Sequence, residues 1–111
     1  MSASDENRKL FVMVTCLDKA GEGAADERQK YLMDHFKYIE TIMDRILVAG
    51  PIFADDKQTI IGSVLIYKTE DKAVAREMLE SDPYFSADIW DSVVYQTFRG
   101  ALGDAVGGKA Y

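Results

Sequence analysis

His35 is the only histidine in a chain of 111 residues. It follows Leu32 by three positions and precedes Ile39 by four, so on a helix it borders an apolar stripe. An imidazole in such a place can act as acid or base near neutral pH. Most helix histidines only pack and hydrogen-bond, so a chemical role requires a partner that orients the ring. Asp82 is the candidate. It precedes Pro83-Tyr84-Phe85, and aspartate before proline at the first helical position makes a strong N-cap, worth ~1 kcal/mol. A carboxylate has acceptor sites to spare. The same group can therefore take the N–H of His35, fix its tautomer and favour the imidazolium once a proton arrives.

Other candidates are weaker. Gly62 lies inside a strong strand pattern, which points to close approach by a backbone or a ligand. Ser63 beside it can meet a polar ligand group. Cys16 has no second cysteine in the chain and reads as a buried, inert thiol. Metal binding by His35 lacks local support: one helical turn away stand Tyr31, Leu32, Tyr38 and Ile39, none a usual zinc ligand. There is no Gly-rich phosphate loop and no Ser-His-Asp ordering. The expectation is a site without metal or organic cofactor.

These residues need elements to hold them. Leu10 to Leu17 is β-branched and aromatic and predicts a strand. A helix is expected from about Asp26 to Arg45, with Leu32, Phe36, Ile39, Met43 and Ile46 on one stripe. Gly21 and Gly23 are read as breakers before it. Leu47 to Phe53 reads as a strand interrupted or edged at Pro51, ADDK as a turn, and Thr59 to Tyr67 as the strongest strand. A second helix spans about Asp71 to Glu80, burying Ala73, Val74, Met78 and Leu79, and Ser92 to Phe98 is the last strand. The order βαββαβ predicts an α+β, ferredoxin-like split sheet with both helices on one face. Yet TIIGSVLIY and LFVMV are apolar on both faces. The bare face predicts a homodimer in which two copies pack sheet to sheet.

Residues 1–8 are polar and expected to fray, residues 9–99 form the domain, and residues 100–111 are a Gly-rich tail predicted to specify neither helix nor strand. The net charge of −6 argues against nucleic acid. No apolar run approaches the ~20 residues of a membrane span. A polar N-terminus and a single cysteine fit a cytoplasmic protein.

In four places the sequence resembles the YCII-related (YciI-like) proteins: His35 in the first helix, Ala49-Gly50-Pro51, Gly62-Ser63, and Asp82-Pro83-Tyr84. The resemblance covers residues 9–99. It implies a dimeric α+β barrel, similar in architecture to muconolactone isomerase-like enzymes and cofactor-free monooxygenases. It also implies that His35 and Asp82 form an active-site pair, with Gly50, Pro51, Ser63 and Tyr84 at the substrate. Family members often carry an arginine one turn before the histidine. Leu32 stands in that region here, and Arg28 lies seven residues before His35. The expected function is a cofactor-free enzyme of isomerase, lyase or dehydrohalogenase type acting on a small organic molecule. The alternative is a dimer that binds a small ligand without turnover.

Overall fold

The computed structural model describes residues 9–111. The expectation for residues 1–8 lies outside the described residues. Four strands, β1 (Phe11–Asp18), β2 (Ile46–Phe53), β3 (Ile60–Tyr67) and β4 (Trp90–Phe98), form one sheet in the order β2-β3-β1-β4, antiparallel throughout. Helix α1 (Gly23–Thr41) links β1 to β2. Helices α2 (Lys72–Glu80) and α3 (Pro83–Ser86) link β3 to β4. This is the ferredoxin-like α+β arrangement that the strand and helix order predicts.

Alternation along the central strands divides the sheet into two faces. Val12, Val14 and Cys16 of β1 and Leu65 and Tyr67 of β3 are buried. They pack with Ala75, Met78 and Leu79 of α2, and Tyr31, Leu32 and Ile39 of α1 complete the layer. The Tyr38 hydroxyl donates to the Met78 carbonyl at 2.7 Å and ties α1 to α2. Phe11, Met13, Val64, Ile66, Val94 and Phe98 alternate with that core and share the opposite face. Val94 stays 47% exposed there.

Several boundaries differ from expectation. Helix α1 begins at Gly23 rather than Asp26 and ends at Thr41. A 3-10 turn at Met43–Arg45 then leads into β2. Ile42, with φ −117°, breaks the helical register, so Met43 leaves the stripe and is 66% exposed. On α2, Ala75 rather than Ala73 faces the core, because Ala75 lies three residues before Met78 and four before Leu79 and so shares their face. The C-terminal segment forms a small hairpin of β5 (Leu102–Gly103) and β6 (Gly108–Lys109) where neither helix nor strand is expected. Gly107, at φ +75°, supplies the left-handed turn that lets the chain double back. The glycines that make the tail look featureless are the ones this turn requires.

Gly62 is explained by backbone. A Cβ at this position would drive into the Cys16 carbonyl across the β1–β3 ladder. The Cys16 thiol beneath the helices is pushed up from its ordinary 9.0 to about 12, burial outweighing the opposing charge of Arg28. An unfolded thiol ionises near 9, the folded one only near 12. The stability linked to this group is therefore complete below pH 9 and lost as the pH climbs toward 12. Burial also raises the Tyr67 phenol, which acts in the same direction. The urea midpoint should fall progressively above pH 9. At pH 8 Cys16 should be silent to a thiol reagent until the protein is unfolded; rapid labelling of the native state would contradict its burial.

Candidate functional site

Asp82 ends the loop after α2 and caps α3. Its Oδ1 accepts the backbone N–H of Tyr84 at 2.9 Å, and Pro83 occupies the first helical turn, where no N–H is needed. The cap alone fixes the direction of the carboxylate. His35, midway along α1, meets it: Nδ1 lies 2.8 Å from Oδ2 and 2.9 Å from Oδ1. Asp82 is 2% exposed. The His35 ring stacks on Tyr84 with centroids 3.9 Å apart and planes within 3°. Nδ1 is engaged, so Nε2 is the free nitrogen: among the described residues it has no hydrogen-bond partner.

A cavity of about 580 Å³ opens beside this pair, between α1 and the β2–β3 side of the sheet. That volume suits a small organic molecule. All six residues expected at the site line it: His35, Asp82, Gly50, Pro51, Ser63 and Tyr84. Pro51 pairs with Ser63 across the β2–β3 ladder, which brings the two short motifs together. Leu32, Phe36 and Ile39 from α1 and Leu65 from β3 give the wall its apolar character. Ile60 borders it from the start of β3, and Gln58 and Thr59 from the β2–β3 turn, held by Asp56, whose Oδ1 accepts the backbone N–H groups of Gln58 and Thr59.

Arg28 also lines the cavity, although its spacing of seven residues gives it only a loose connection to the histidine in sequence. Seven residues are two helical turns, so Arg28 and His35 share one face of α1. Nε and Nη2 donate to the two carboxylate oxygens of Asp18 at 2.8 Å, and Nη2 also donates to Ser63 Oγ at 3.0 Å. The guanidinium carbon lies 5.3 Å from the Tyr84 ring centroid. Tyr84 thus contacts both the imidazole and the guanidinium, and its hydroxyl donates to the Arg28 carbonyl at 3.3 Å. Burial raises the Tyr84 phenol above its ordinary value, with the Arg28 charge opposing. Trp90, at the start of β4, is the second residue that sequence reasoning passes over. Neither had a motif to mark it; the i, i+7 relation to His35 was the one available sign of Arg28. Among the described residues, no group of three or more His, Cys, Asp or Glu is placed to hold a metal.

Fold and cavity together define a ferredoxin-like α+β domain with an oriented imidazole at a mostly apolar pocket. The chain belongs to the YCII-related domain family, whose sequence profile matches residues 11–99. Among solved structures it is similar in fold to a 5-chloro-2-hydroxyhydroquinone dehydrochlorinase from Burkholderia phenoliruptrix, in complex with 2,5-dihydroxybenzoquinone. The two share 24% identity over 85% of this chain and 96% of that one, with a TM-score of 0.66. A Caulobacter crescentus protein classed with the antibiotic biosynthesis monooxygenases is similar at 14% identity, over 86% and 92% of the two chains, with a TM-score of 0.52. Among curated proteins no match is found. No helix of the described residues is long and apolar enough to cross a membrane.

Cap and imidazole partner can be separated by substitution. In Asp82→Asn the amide oxygen keeps the bond from Tyr84 N–H, while the amide nitrogen can donate to His35 Nδ1 and drive the proton to Nε2. Stability should change by no more than about 1 kcal/mol, whereas Asp82→Ala, which loses cap and partner, should cost about 2–3 kcal/mol. Nitrogen chemical shifts of the single histidine should report the changed tautomer in Asp82→Asn. An unchanged tautomer would show that Asp82 does not set it.

Proposed function

We propose that the protein is a small-molecule enzyme in which His35 and Asp82 act as a general acid/base pair without metal or organic cofactor, in chemistry of the isomerase, lyase or dehydrohalogenase type. The observation that carries this reading is the arrangement of one ring: Nδ1 held at 2.8 Å by a buried carboxylate, Nε2 unpartnered beside an apolar cavity. With Asp82 accepting from Nδ1, neutral His35 carries its lone pair on Nε2. That lone pair takes a proton from a C–H or O–H group of the ligand. The electron pair stays in the substrate, moving onto a conjugated oxygen or expelling halide from the neighbouring carbon. The imidazolium returns its proton to a second carbon in an isomerisation, or to water after an elimination. The C–H electron pair stays in the product and, in an elimination, the carbon–halogen pair leaves with the halide ion, so neither branch needs an oxidant or a reductant. Positioned proton transfer of this kind supplies about 10²–10⁴-fold in rate.

Gly50, Pro51, Ser63 and Tyr84 form the substrate-contacting wall, and the Arg28 guanidinium is available to an oxygen that gains charge. The bound 2,5-dihydroxybenzoquinone of the Burkholderia dehydrochlorinase supports a compact oxygenated ring as the kind of substrate to try. The working unit in this reading is a cytoplasmic homodimer joined through the open face that carries Phe11, Met13, Ile66 and Val94. Its interface should exceed the ~1,000 Å² that marks biological contacts.

A screen of chlorinated hydroquinones, hydroxyquinones and lactones should find a compound that the protein converts. His35→Ala should then lose about 100-fold or more in rate and also lower the unfolding midpoint, because it leaves the buried Asp82 carboxylate without its imidazole partner. Full turnover in that variant would remove His35 from the chemistry. Binding of such compounds with no conversion at any pH would leave a ligand-binding dimer. Light scattering at micromolar concentration should give twice the 12.4 kDa chain mass; a monomer would refute the sheet-to-sheet pairing.

A further inference from the structure

Among the described residues, Arg28 and Asp82 are the only ones of charged type that line the cavity. Asp82 is matched by His35 from within the wall. Arg28 is matched from behind it. Val12, Val14 and Cys16 alternate onto the helix face of β1, and Asp18 continues that series at the end of the strand. The two carboxylate oxygens of Asp18 accept from Nε and Nη2 of Arg28 at 2.8 Å. The side chains of Arg28 and Asp18 are 11% and 6% exposed, so solvent ions screen the pair weakly. The guanidinium still belongs to the wall. Its Nη2 donates to Ser63 Oγ at 3.0 Å and its carbon lies 5.3 Å from the Tyr84 ring centroid, and both of those residues line the cavity.

A charge balance follows from these pairs. Asp18 and Asp82 carry two negative charges, Arg28 carries one positive charge, and His35 carries none while its ring is neutral. The wall and its backing are thus negative by one charge before a ligand enters. A carboxylate or phosphate adds further negative charge, facing a guanidinium that Asp18 already holds. An uncharged molecule adds none. When such a molecule bears a weakly acidic C–H or O–H group, that bond breaks, an N–H bond forms at His35 Nε2, and the electron pair stays on the ligand. The ligand's negative charge then appears together with the imidazolium, and the total is unchanged through the step.

We propose that Asp18 is a specificity-determining residue: by neutralising Arg28 it makes the cavity a site for uncharged, weakly acidic organic molecules and turns away preformed carboxylates and phosphates. This rests on the cavity being a ligand site, as proposed above, and adds the charge state in which the ligand enters. Asp18 acts through Arg28 and needs no contact with the ligand, because a weakly screened charge acts over several ångströms.

Benzamide and benzoate have nearly the same shape and differ by one charge at neutral pH. Each would be titrated into the full-length protein, with the methyl signals of Leu32 and Leu65 reporting occupancy of the cavity. In the natural protein benzoate should bind at least about tenfold more weakly than benzamide. Asp18→Asn keeps the size of the side chain and leaves the Arg28 charge without its counter-charge. In that variant benzoate should gain about tenfold or more while benzamide changes by less than about twofold. Loosened helix packing alone would weaken both compounds alike. Benzoate binding as well as benzamide in the natural protein, or a folded Asp18→Asn variant with an unchanged ratio, would overturn the role of Asp18 and leave the cavity standing as a ligand site. Should the variant not fold, the ratio in the natural protein decides alone. Absence of any methyl response to either compound at millimolar concentration would overturn the ligand site itself, and the role of Asp18 with it.

Discussion

The buried carboxylate of Asp82 fixes the relation between the two helical connections. Removing a charge from water costs several kcal/mol, and Asp82 is the one residue of charged type that is buried among the described residues. Three contacts offset that cost: one from Tyr84 N–H and two with His35 Nδ1. The first belongs to the start of α3, the others to the middle of α1. A cap needed by a four-residue helix and the orientation of an imidazole are thus one interaction. Pro83 makes the direction of the carboxylate insensitive to thermal wobble, since its φ is locked. Any shift of α3 relative to α1 would strand a charge away from both water and partner.

A second polar tie sets the rotation of α1 about its own axis. Arg28 reaches Asp18 at the end of β1 and Ser63 in β3, with side chains of Arg28 and Asp18 only 11% and 6% exposed. Bidentate pairing to a carboxylate fixes both distance and plane. His35, two turns along, is anchored to the other connection. The helix cannot turn without breaking one of these ties, so Leu32 and Ile39 are held toward the sheet and the cavity. Tyr84 occupies the space between, stacked on the His35 ring with its own ring centroid 5.3 Å from the Arg28 guanidinium carbon. The site is therefore built from the same contacts that lock helix to sheet.

This explains what the sequence discloses and what it hides. The strands are legible because β-branched runs alternate on a pleated surface, and their order follows from their number and spacing. His35 and Asp82 are legible because a lone imidazole and an Asp-Pro cap each stand out locally. Arg28 is not, because its meaning depends on Asp18 and Ser63, brought near by a loop and by strand pairing. Trp90 is silent for a similar reason: it comes to the cavity by pairing with Asp18 at the end of β1. The ends of α1 are misplaced because they are decided by Ile42 leaving helical geometry and by the chain's need to enter β2, rather than by propensity. The C-terminal hairpin is missed because glycine reads as freedom until a turn uses it.

The distribution of unpaired groups separates a site from a merely stable core. If the polar residues on this wall served only to lock the helices, each would be satisfied by its neighbours or open to bulk water. Asp82 and Ser63 fit that pattern, and so do the Nε and Nη2 nitrogens of Arg28. His35 is held on one side only: its Nδ1 lies against Asp82, while Nε2 has no hydrogen bond to the described residues and the ring borders the 580 Å³ cavity. Fixed outer contacts with unspent inner valences are what a preorganised site requires, because the orienting cost is met before the ligand arrives. A lone pair on Nε2, set in an apolar wall, is complementary to a small molecule with one acidic proton.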